Sequence, residues 1–465
     1  MVQERTATYE TLAQMIQREI GQNVYLCYQC AKCTSGCPLA EHFDLWPNQV
    51  MRCLQFNDER PLHSRTIWLC ASCQTCTTRC PQGLDIAGIM DALRIEAKRR
   101  GLAPAVPEVD RFSTLFLRDI GLFGRLYEVG LMAGLNLVTG RLTKDMDMGL
   151  EMMKRGKLNL IPSLVRPPKQ VQPVEASDNT VAYYPGCSLH SSAAEYDHTT
   201  RACAHVLGLE LVEPPGWVCC GSTPAHSSDH LLATVLPLRT LSTVERMGID
   251  TLTAPCSSCF SRLRAAAHAV AEDSDLAAQV SAQIGYVYRG QVQVQHLVDT
   301  FVERVGLESI RAKVKRPLAG LRVACYYGCL VTRPAKITGA EHVEYPMQMD
   351  YLMRALGAET VDWSYKTDCC GGALSLTETQ LAWELTAKIL RNARDCGADV
   401  VATVCPLCQV NLDARQPQIG LEFQLPALYA TQLAALAFGL GEREAALDRN
   451  LVDARPVLRT KGLIQ

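Results

Sequence analysis

Apolar and polar positions follow different periods in different parts of the chain. Residues 82–101 and 143–157 lack strand-like alternation and are rich in Leu, Met, Ala, Lys and Arg, which lose little side-chain freedom in a helix. Both segments are predicted to be helical. Leu115–Leu137 is largely apolar but carries Arg118, Asp119, Arg125 and Glu128, the pattern of an amphipathic helix packed on its own domain or on a partner. Between Ile161 and Thr180 the composition changes to four prolines with few large apolar residues, which marks a linker. Beyond it, short β-branched runs alternate with helical patterns: Val181–Tyr184, Leu209–Val212 and Thr251–Ala254, then Leu321–Tyr326, Glu359–Val361 and Asp399–Val404. That alternation predicts α/β domains with a largely parallel sheet. The uncharged run Phe423–Gly441 is near the length of a membrane span, but Gln424, Pro426, Thr431, Gln432 and its alanines favour a helix buried against a sheet.

The two sets of runs are copies of one pattern. Tyr183-Tyr184-Pro185-Gly186-Cys187 is echoed by Tyr326-Tyr327-Gly328-Cys329, and Cys219-Cys220-Gly221 by Cys369-Cys370-Gly371. Cys256-x₂-Cys259 is echoed by Cys405-x₂-Cys408. Each cysteine follows the end of a predicted strand, where ligands gather in open parallel sheets. Cys187, Cys219, Cys220, Cys256 and Cys259 can therefore converge from three loops, and Cys329, Cys369, Cys370, Cys405 and Cys408 likewise. Adjacent side chains on extended backbone point to opposite faces, so each Cys-Cys pair needs a sharp turn, which Gly221 and Gly371 permit. Five thiolates per repeat is one more than a cubane iron–sulfur cluster uses. A vicinal disulfide, or zinc held by four of the five thiols, is the competing reading.

Two further runs lie near the amino end. Cys27, Cys30, Cys33, Cys37-Pro38 and Cys70, Cys73, Cys76, Cys80-Pro81 both carry the C-x₂-C-x₂-C-x₃-C-P spacing of two-cluster ferredoxins, in which the fourth ligand of each cluster comes from the other run. The expected ligand sets are Cys27, Cys30, Cys33 and Cys80 for one cubane, and Cys70, Cys73, Cys76 and Cys37 for its neighbour. Zinc, which is held by pairs of C-x₂₋₄-C, is the alternative.

Bulk properties narrow the class. A chain of 465 residues that is 48% hydrophobic and 20% charged has room for two or three domains with their own cores. Its 46 Lys and Arg against 48 Asp and Glu argue against a nucleic-acid partner. The 22 cysteines exceed what a small disulfide scaffold would explain in a chain this long, so free thiolates for metal and a reducing compartment follow. The start has charges throughout and no apolar h-region, so a cytoplasmic protein is expected. No G-x-G-x-x-G follows a strand, and no flavin or nicotinamide of its own is expected.

The doubled Cys…Cys-Cys-Gly…Cys-x₂-Cys pattern, with YYPGCSLHSSAAEYD, GWVCCGS and CPLCQVNLDARQ, resembles the paired CCG domains of the B subunit of heterodisulfide reductase. The ferredoxin runs and FLRDIGLFGRLYEVGLM resemble the C subunit of that enzyme, here in the same polypeptide. The resemblance implies a noncubane [4Fe–4S] cluster on each five-cysteine set. A mixed disulfide such as CoM-S-S-CoB would be gripped between them, split homolytically and reduced in two one-electron steps. It also implies electrons from a flavin-containing partner, the A subunit, fed by a hydrogenase or formate dehydrogenase module. A membrane cytochrome b takes the donor part in membrane-bound relatives. Two other readings share the architecture. One is the electron-relay subunit of a quinone-linked glycerol-3-phosphate dehydrogenase or glycolate oxidase, and the other is a bacterial electron-bifurcating complex acting on another disulfide or persulfide.

The expected organisation is an α+β multidomain chain. A helical two-cluster ferredoxin domain (1–160) leads through a linker (161–180) to two homologous α/β domains (181–310 and 311–445) and a tail (446–465). Cys53, Cys203, Cys325 and Cys396 remain outside the ligand sets and read as small hydrophobes. His190 and His226 lie near the first metal loops, either as proton donors to a departing thiolate or as hydrogen-bond donors to cluster sulfur. Arg333, just after Cys329, reads as an exposed cation, with a substrate carboxylate or phosphate as its alternative partner.

Overall fold

The computed structural model describes residues 10–165, 168 and 170–465. Residues 1–9 and three positions of the linker, 166, 167 and 169, lie outside the described residues, and with them most of the reading of the amino terminus. The chain divides after Asp110 into two compact units.

The first unit is helical, built on Leu12–Ile20, Pro47–Gln55 and Ile86–Arg99. Thr11 and Gln14 form a reciprocal capping box at the start of Leu12–Ile20, whose Leu12 and Ile16 are buried. Asp85 caps Ile86–Arg99 by accepting from the Gly88 N–H at 3.0 Å. It also accepts from the Thr77 hydroxyl at 2.9 Å, which ties this helix to the second cysteine run.

The second unit contains two four-stranded parallel sheets. Strands β1 (Thr180–Tyr183), β2 (Glu210–Val212), β3 (Thr251–Ala254) and β4 (Gln293–His296) run in the order β2-β1-β3-β4. Strands β5 (Arg322–Tyr326), β6 (Glu359–Thr360), β7 (Val400–Thr403) and β8 (Ala427–Tyr429) repeat it as β6-β5-β7-β8. The equivalence extends to register, with Ala182 opposite Leu252 in one sheet and Ala324 opposite Val401 in the other. All six strands predicted from the sequence form, and β4 and β8 complete the edges. Strand β8 comes from the apolar run at Phe423–Gly441, which divides into this strand and the helix Ala430–Ala437. Among the described residues no helix is long and apolar enough to cross a membrane.

The repeats join through helix Ala194–Leu207 of the first and Ala430–Ala437 of the second. Tyr196 stacks on Tyr429 with ring centroids 4.0 Å apart and planes 11° from parallel. The Thr199 and Thr431 hydroxyls hydrogen-bond at 2.7 Å.

Two expected boundaries move. The first unit ends at Asp110, not near 160, and helices Glu128–Thr139 and Met146–Lys154 pack with the sheets. Phe116, Ile120 and Leu131 bury against Cys219, Ala225 and Leu236, and Met148 and Met152 against Ala414. Arg415 grips Asp145 bidentately at 2.9 and 3.0 Å. Lys157 forms an ion pair with Glu195, both excluded from solvent. The residues 446–465 are likewise folded in, with Ala454, Leu458 and Leu463 in the main core. Asn450 donates to the carbonyl of Ala427 on edge strand β8 at 2.9 Å.

The stretch Leu115–Leu137, expected as one amphipathic helix, breaks at Gly124 into Pro107–Phe123 and Glu128–Thr139. Gly124 has φ +76°, and a Cβ there would meet Val165 Cβ at 2.8 Å, so only glycine fits the turn.

The Lys157–Glu195 pair makes a measurable claim. Glu195→Ala leaves the ammonium buried and should cost about 3 kcal/mol in urea unfolding, the low end for an orphaned buried charge because Asp413 stays within its field. Replacing both partners by Leu and Met should recover most of that loss.

Candidate metal centres and the cavity between the repeats

In both ferredoxin runs the backbone is wound the same way. Gln29 and Ala31 flank Cys30 with φ of 63° and 58°, and Ser72 and Gln74 flank Cys73 with φ of 48° and 62°. Left-handed backbone at non-glycine residues costs about 1–2 kcal/mol each, and here it curls each loop tightly about its second cysteine. Cys37 lies with the other run, because Cys70, Cys73 and Cys76 line one hollow with it. Burial and the neighbouring charges of Cys73 and Cys70 push the Cys37 thiol up. Cys33 feels Cys27 and Cys30, and Tyr28 feels both Cys30 and Cys80.

In the second unit each five-cysteine set sits at the carboxyl ends of its strands. Cys187 follows β1, Cys219 and Cys220 follow β2, and Cys256 and Cys259 follow β3. These five line one hollow of about 60 Å³. Cys220 and Cys259 sulfurs are 3.4 Å apart, and their counterparts Cys370 and Cys408 are 3.5 Å apart. The glycine before each first cysteine is held by this geometry. A Cβ on Gly186 (φ +75°) would meet Cys259 Sγ at 2.9 Å, and one on Gly328 (φ +71°) would meet Cys408 Sγ at 3.1 Å. Tyr184 and Tyr326 brace the Cys-Cys loops from equivalent strands, donating to the carbonyls of Val218 at 2.7 Å and Asp368 at 2.6 Å.

The thiols do not titrate independently. Hydrogen bonds from Cys219 and Cys259 hold Cys220 well below the ordinary thiol range, while sharing with Cys187 and Cys220 pushes Cys219 up. Cys370 is lowered by Cys408, and Cys405 by Cys256 and Cys408. Buried thiolates packed this closely need cationic charge to hold them together. An all-sulfur donor set selects a soft metal or an iron–sulfur group. Among the described residues no three donors are spaced to hold a single metal ion.

The helices over these loops supply polar groups of their own. At the Gly124 break the Leu126 N–H donates to Cys187 Sγ at 3.3 Å, and the Cys219 N–H donates to the Gly124 carbonyl at 2.9 Å. One turn on, Glu128 is half-buried, accepting from the Ser192 hydroxyl at 2.9 Å and N–H at 3.2 Å, and desolvation raises its pKa.

Glu128 lines a largely apolar cavity of about 150 Å³. Ser222, Thr223 and Pro224, which follow the first Cys-Cys-Gly turn, and Gly372, Ala373 and Ser375, which follow the second, line it together. Phe112, Phe116, Met148 and Met152 close it from the helices above.

The other candidates fall elsewhere. His190 is not among the residues lining this cavity. Its ring stands edge-on to Trp217 with centroids 5.2 Å apart and lies 3.5 Å from Glu213. His226 ends the short helix after Cys220 and also lies outside the cavity lining. Arg333, expected to be exposed, is buried and donates to the Thr367 carbonyl at 3.1 Å and hydroxyl at 2.7 Å. Burial in the loop around Thr367 replaces the solvent it was expected to face. Cys53, Cys203 and Cys325 are buried, the last two in the main core, and Cys396 packs partly against the core. Glu128 and Arg125 were legible only as the polar positions of an amphipathic run. His296, the last residue of β4, was not singled out; it is fully buried against the Val404 carbonyl at 3.3 Å, and burial lowers its pKa to about 4.

Comparison with known proteins bears on this arrangement. A family described as "Cysteine-rich domain" (CCG) matches residues 181–264 and 323–413, and one described as "4Fe-4S dicluster domain" matches residues 26–85. The chain is 34% identical over 278 residues to the 8-methylmenaquinol:fumarate reductase membrane anchor subunit of Wolinella succinogenes, covering 59% of this chain and 97% of that protein. It is 28% identical to the B subunit of the ferredoxin/F420H2-dependent CoB-CoM heterodisulfide reductase of Methanosarcina acetivorans, covering 58% of this chain and 93% of that one. A crystal structure of a hypothetical protein from Helicobacter pylori shares the fold, with a TM-score of 0.50 at 11% identity, over 70% of this chain and 61% of that one. The doubled five-cysteine geometry, the 4Fe–4S run and these relatives agree. The chain belongs to the CCG-domain iron–sulfur proteins of the heterodisulfide reductase type, with parts like the C and B subunits of that enzyme in one polypeptide.

Proposed function

We propose that this chain is the disulfide-reducing component of a heterodisulfide reductase-type complex. It takes electrons from a flavin-containing partner through two cubane clusters, on Cys27, Cys30, Cys33 and Cys80 and on Cys70, Cys73, Cys76 and Cys37. It delivers them to two noncubane clusters on the five-cysteine sets. The observation that carries the reading is that the residues following both Cys-Cys-Gly turns open onto one cavity. A substrate there would lie against the turns that follow both five-cysteine sets. When bound, the clusters supply electrons one at a time.

The reaction is RSSR′ + 2 e⁻ + 2 H⁺ → RSH + R′SH. The S–S bond breaks, each sulfur gains one electron, and each thiolate takes one proton. The chain's part is to orient the disulfide, keep water out and supply a proton. The apolar walls from Phe116, Met148 and Met152 exclude water. Among the lining residues Glu128 is the one carboxyl, and its raised pKa suits it to hold a proton for a departing thiolate. The serine donors around it fix its orientation.

A second reading has specific support. The relative at 34% identity is named as a membrane anchor subunit of a quinol-oxidising enzyme. Large apolar side chains also stand exposed between residues 122 and 161, among them Leu122, Leu137, Leu142, Leu160 and Ile161. In that reading the chain relays electrons between a quinone pool and a partner dehydrogenase.

Three outcomes are expected. Anaerobically purified protein should contain about 16 irons per chain, four to each of four clusters. With reduced viologen as donor it should consume a mixed disulfide and release both thiols; iron-replete protein that leaves the disulfide intact, yet floats with liposomes and oxidises a menaquinol analogue, would move the assignment to the quinone reading. Glu128→Gln should lower kcat for disulfide reduction about 10²-fold, the low end for loss of a general acid, with the visible spectrum unchanged.

A further inference from the structure

We propose that Arg125 anchors an oxyanion subsite beside the first cysteine set, so that one half of the disulfide is held through a carboxylate, sulfonate or phosphate. The inference rests on the reductase reading and adds to it a recognition element and a substrate charge.

A second hollow of about 60 Å³ reaches Cys187 and borders the central cavity at Leu126 and Glu128. Arg125, Asn159, Ser163, Ser191 and His190 line it together with Cys187. The guanidinium of Arg125 lies 3.6 Å from the centre of the Trp217 ring, and its Nε donates to the Trp217 carbonyl at 3.2 Å. Stacking and that one hydrogen bond lock the plane of the fork. Among the described residues, no acceptor takes a hydrogen bond from its two terminal nitrogens, and Arg125 forms no ion pair.

The nearby carboxylates are committed elsewhere. Glu213 accepts from Trp217 Nε1 at 2.6 Å and Arg201 at 2.9 Å and faces His190 at 3.5 Å. Glu128 turns to the serines at 188, 191 and 192. A desolvated, oriented and unpaired arginine fork matches the two oxygens of a carboxylate, sulfonate or phosphate. Its position decides what that anion belongs to. The Leu126 N–H, one residue on, is bonded to the Cys187 sulfur, so an anion held by Arg125 lies beside the first cysteine set. Leu126 and Glu128 line both spaces. Arg333, the cation that its sequence position suggested for this role, is spent on Thr367.

The test uses the cluster-loaded full chain and two non-reducible probes, thiodipropionate and its uncharged diamide, followed by calorimetry. Wild type should bind the dianion about tenfold more tightly than the diamide, as expected for a charge-assisted hydrogen bond. Arg125→Gln should bring that ratio close to one, and Arg125→Lys should retain part of it. Should Arg125→Gln fail to fold without its stack on Trp217, Ser163→Glu places a competing carboxylate in the same hollow and should abolish the preference. A ratio near one in wild type, or an unchanged ratio in Arg125→Gln or Ser163→Glu, overturns the subsite. Because the probes cannot be reduced, an Arg125-dependent preference in protein that fails to turn over disulfides keeps the subsite and removes the reductase reading.

Discussion

The close approach of strands β3 and β7 at their carboxyl ends sets the rest of the second unit. Tyr196 OH reaches the carbonyls of Pro255 at 3.2 Å and Val404 at 3.5 Å, the residues just before Cys256 and Cys405. Ser257 Oγ and His296 Nε2 converge on the same Val404 carbonyl at 3.4 and 3.3 Å. These bonds are buried, where a lost partner costs about 1–3 kcal/mol. They bring Cys256 and Cys405 into hydrogen-bonding range of each other. Two five-cysteine sets that each sheet would otherwise hold separately thus become neighbours, and a single cavity can border both.

How much of this was legible in the sequence depended on how locally it was encoded. The cysteine spacings were legible because each is short and occurs twice, and so were strands β1 to β3 and β5 to β7, whose β-branched runs end at those cysteines. Strands β4 and β8 were not, since an edge strand of three or four residues feeding straight into a helix has no period of its own. The side taken by the helices around residues 111–160 was also illegible. An amphipathic pattern says that one face is buried but not against what. That choice is made by distant partners, Glu195 for Lys157 and Arg415 for Asp145. Arg333 shows the reverse case, a charge beside a metal loop whose burial depends on Thr367 and could not be read from its neighbours.

The repeats carry the same ligands in unlike surroundings. Equivalent tyrosines brace both Cys-Cys loops, and equivalent glycines meet both terminal sulfurs. Beyond that the sets differ. In the first set Cys187 receives the Leu126 N–H and the Cys219 N–H is given to the Gly124 carbonyl, both from the helical segment, whereas Cys369, the counterpart of Cys219, receives the N–H of Gly371 from within its own loop at 3.4 Å. Near the second set, Lys366 and Asp350 form a buried pair at 2.8 Å, with Tyr327 donating to the same carboxylate at 2.8 Å. Hydrogen bonds to sulfur and local charge are what tune such centres, so duplication fixed the ligands and later divergence acted on what surrounds them.

That asymmetry traces to the break at Gly124. A continuous helix from Leu115 to Leu137 would keep its backbone N–H groups for itself and could not hand one to Cys187. By interrupting the helix, the chain frees the Leu126 N–H for a sulfur and turns Arg125 toward the outer hollow. Glu128 then falls in the first turn of the next helix, inside the central cavity. The contacts of Arg125, Leu126 and Glu128 therefore come from the segment that resembles the C subunit of heterodisulfide reductase, and they are made to the part that resembles its B subunit. Where those parts are separate polypeptides, the same contacts would have to be assembled by association. Here the covalent link raises their effective concentration, and the buried Lys157–Glu195 and Arg415–Asp145 pairs fix the segment over both cysteine sets.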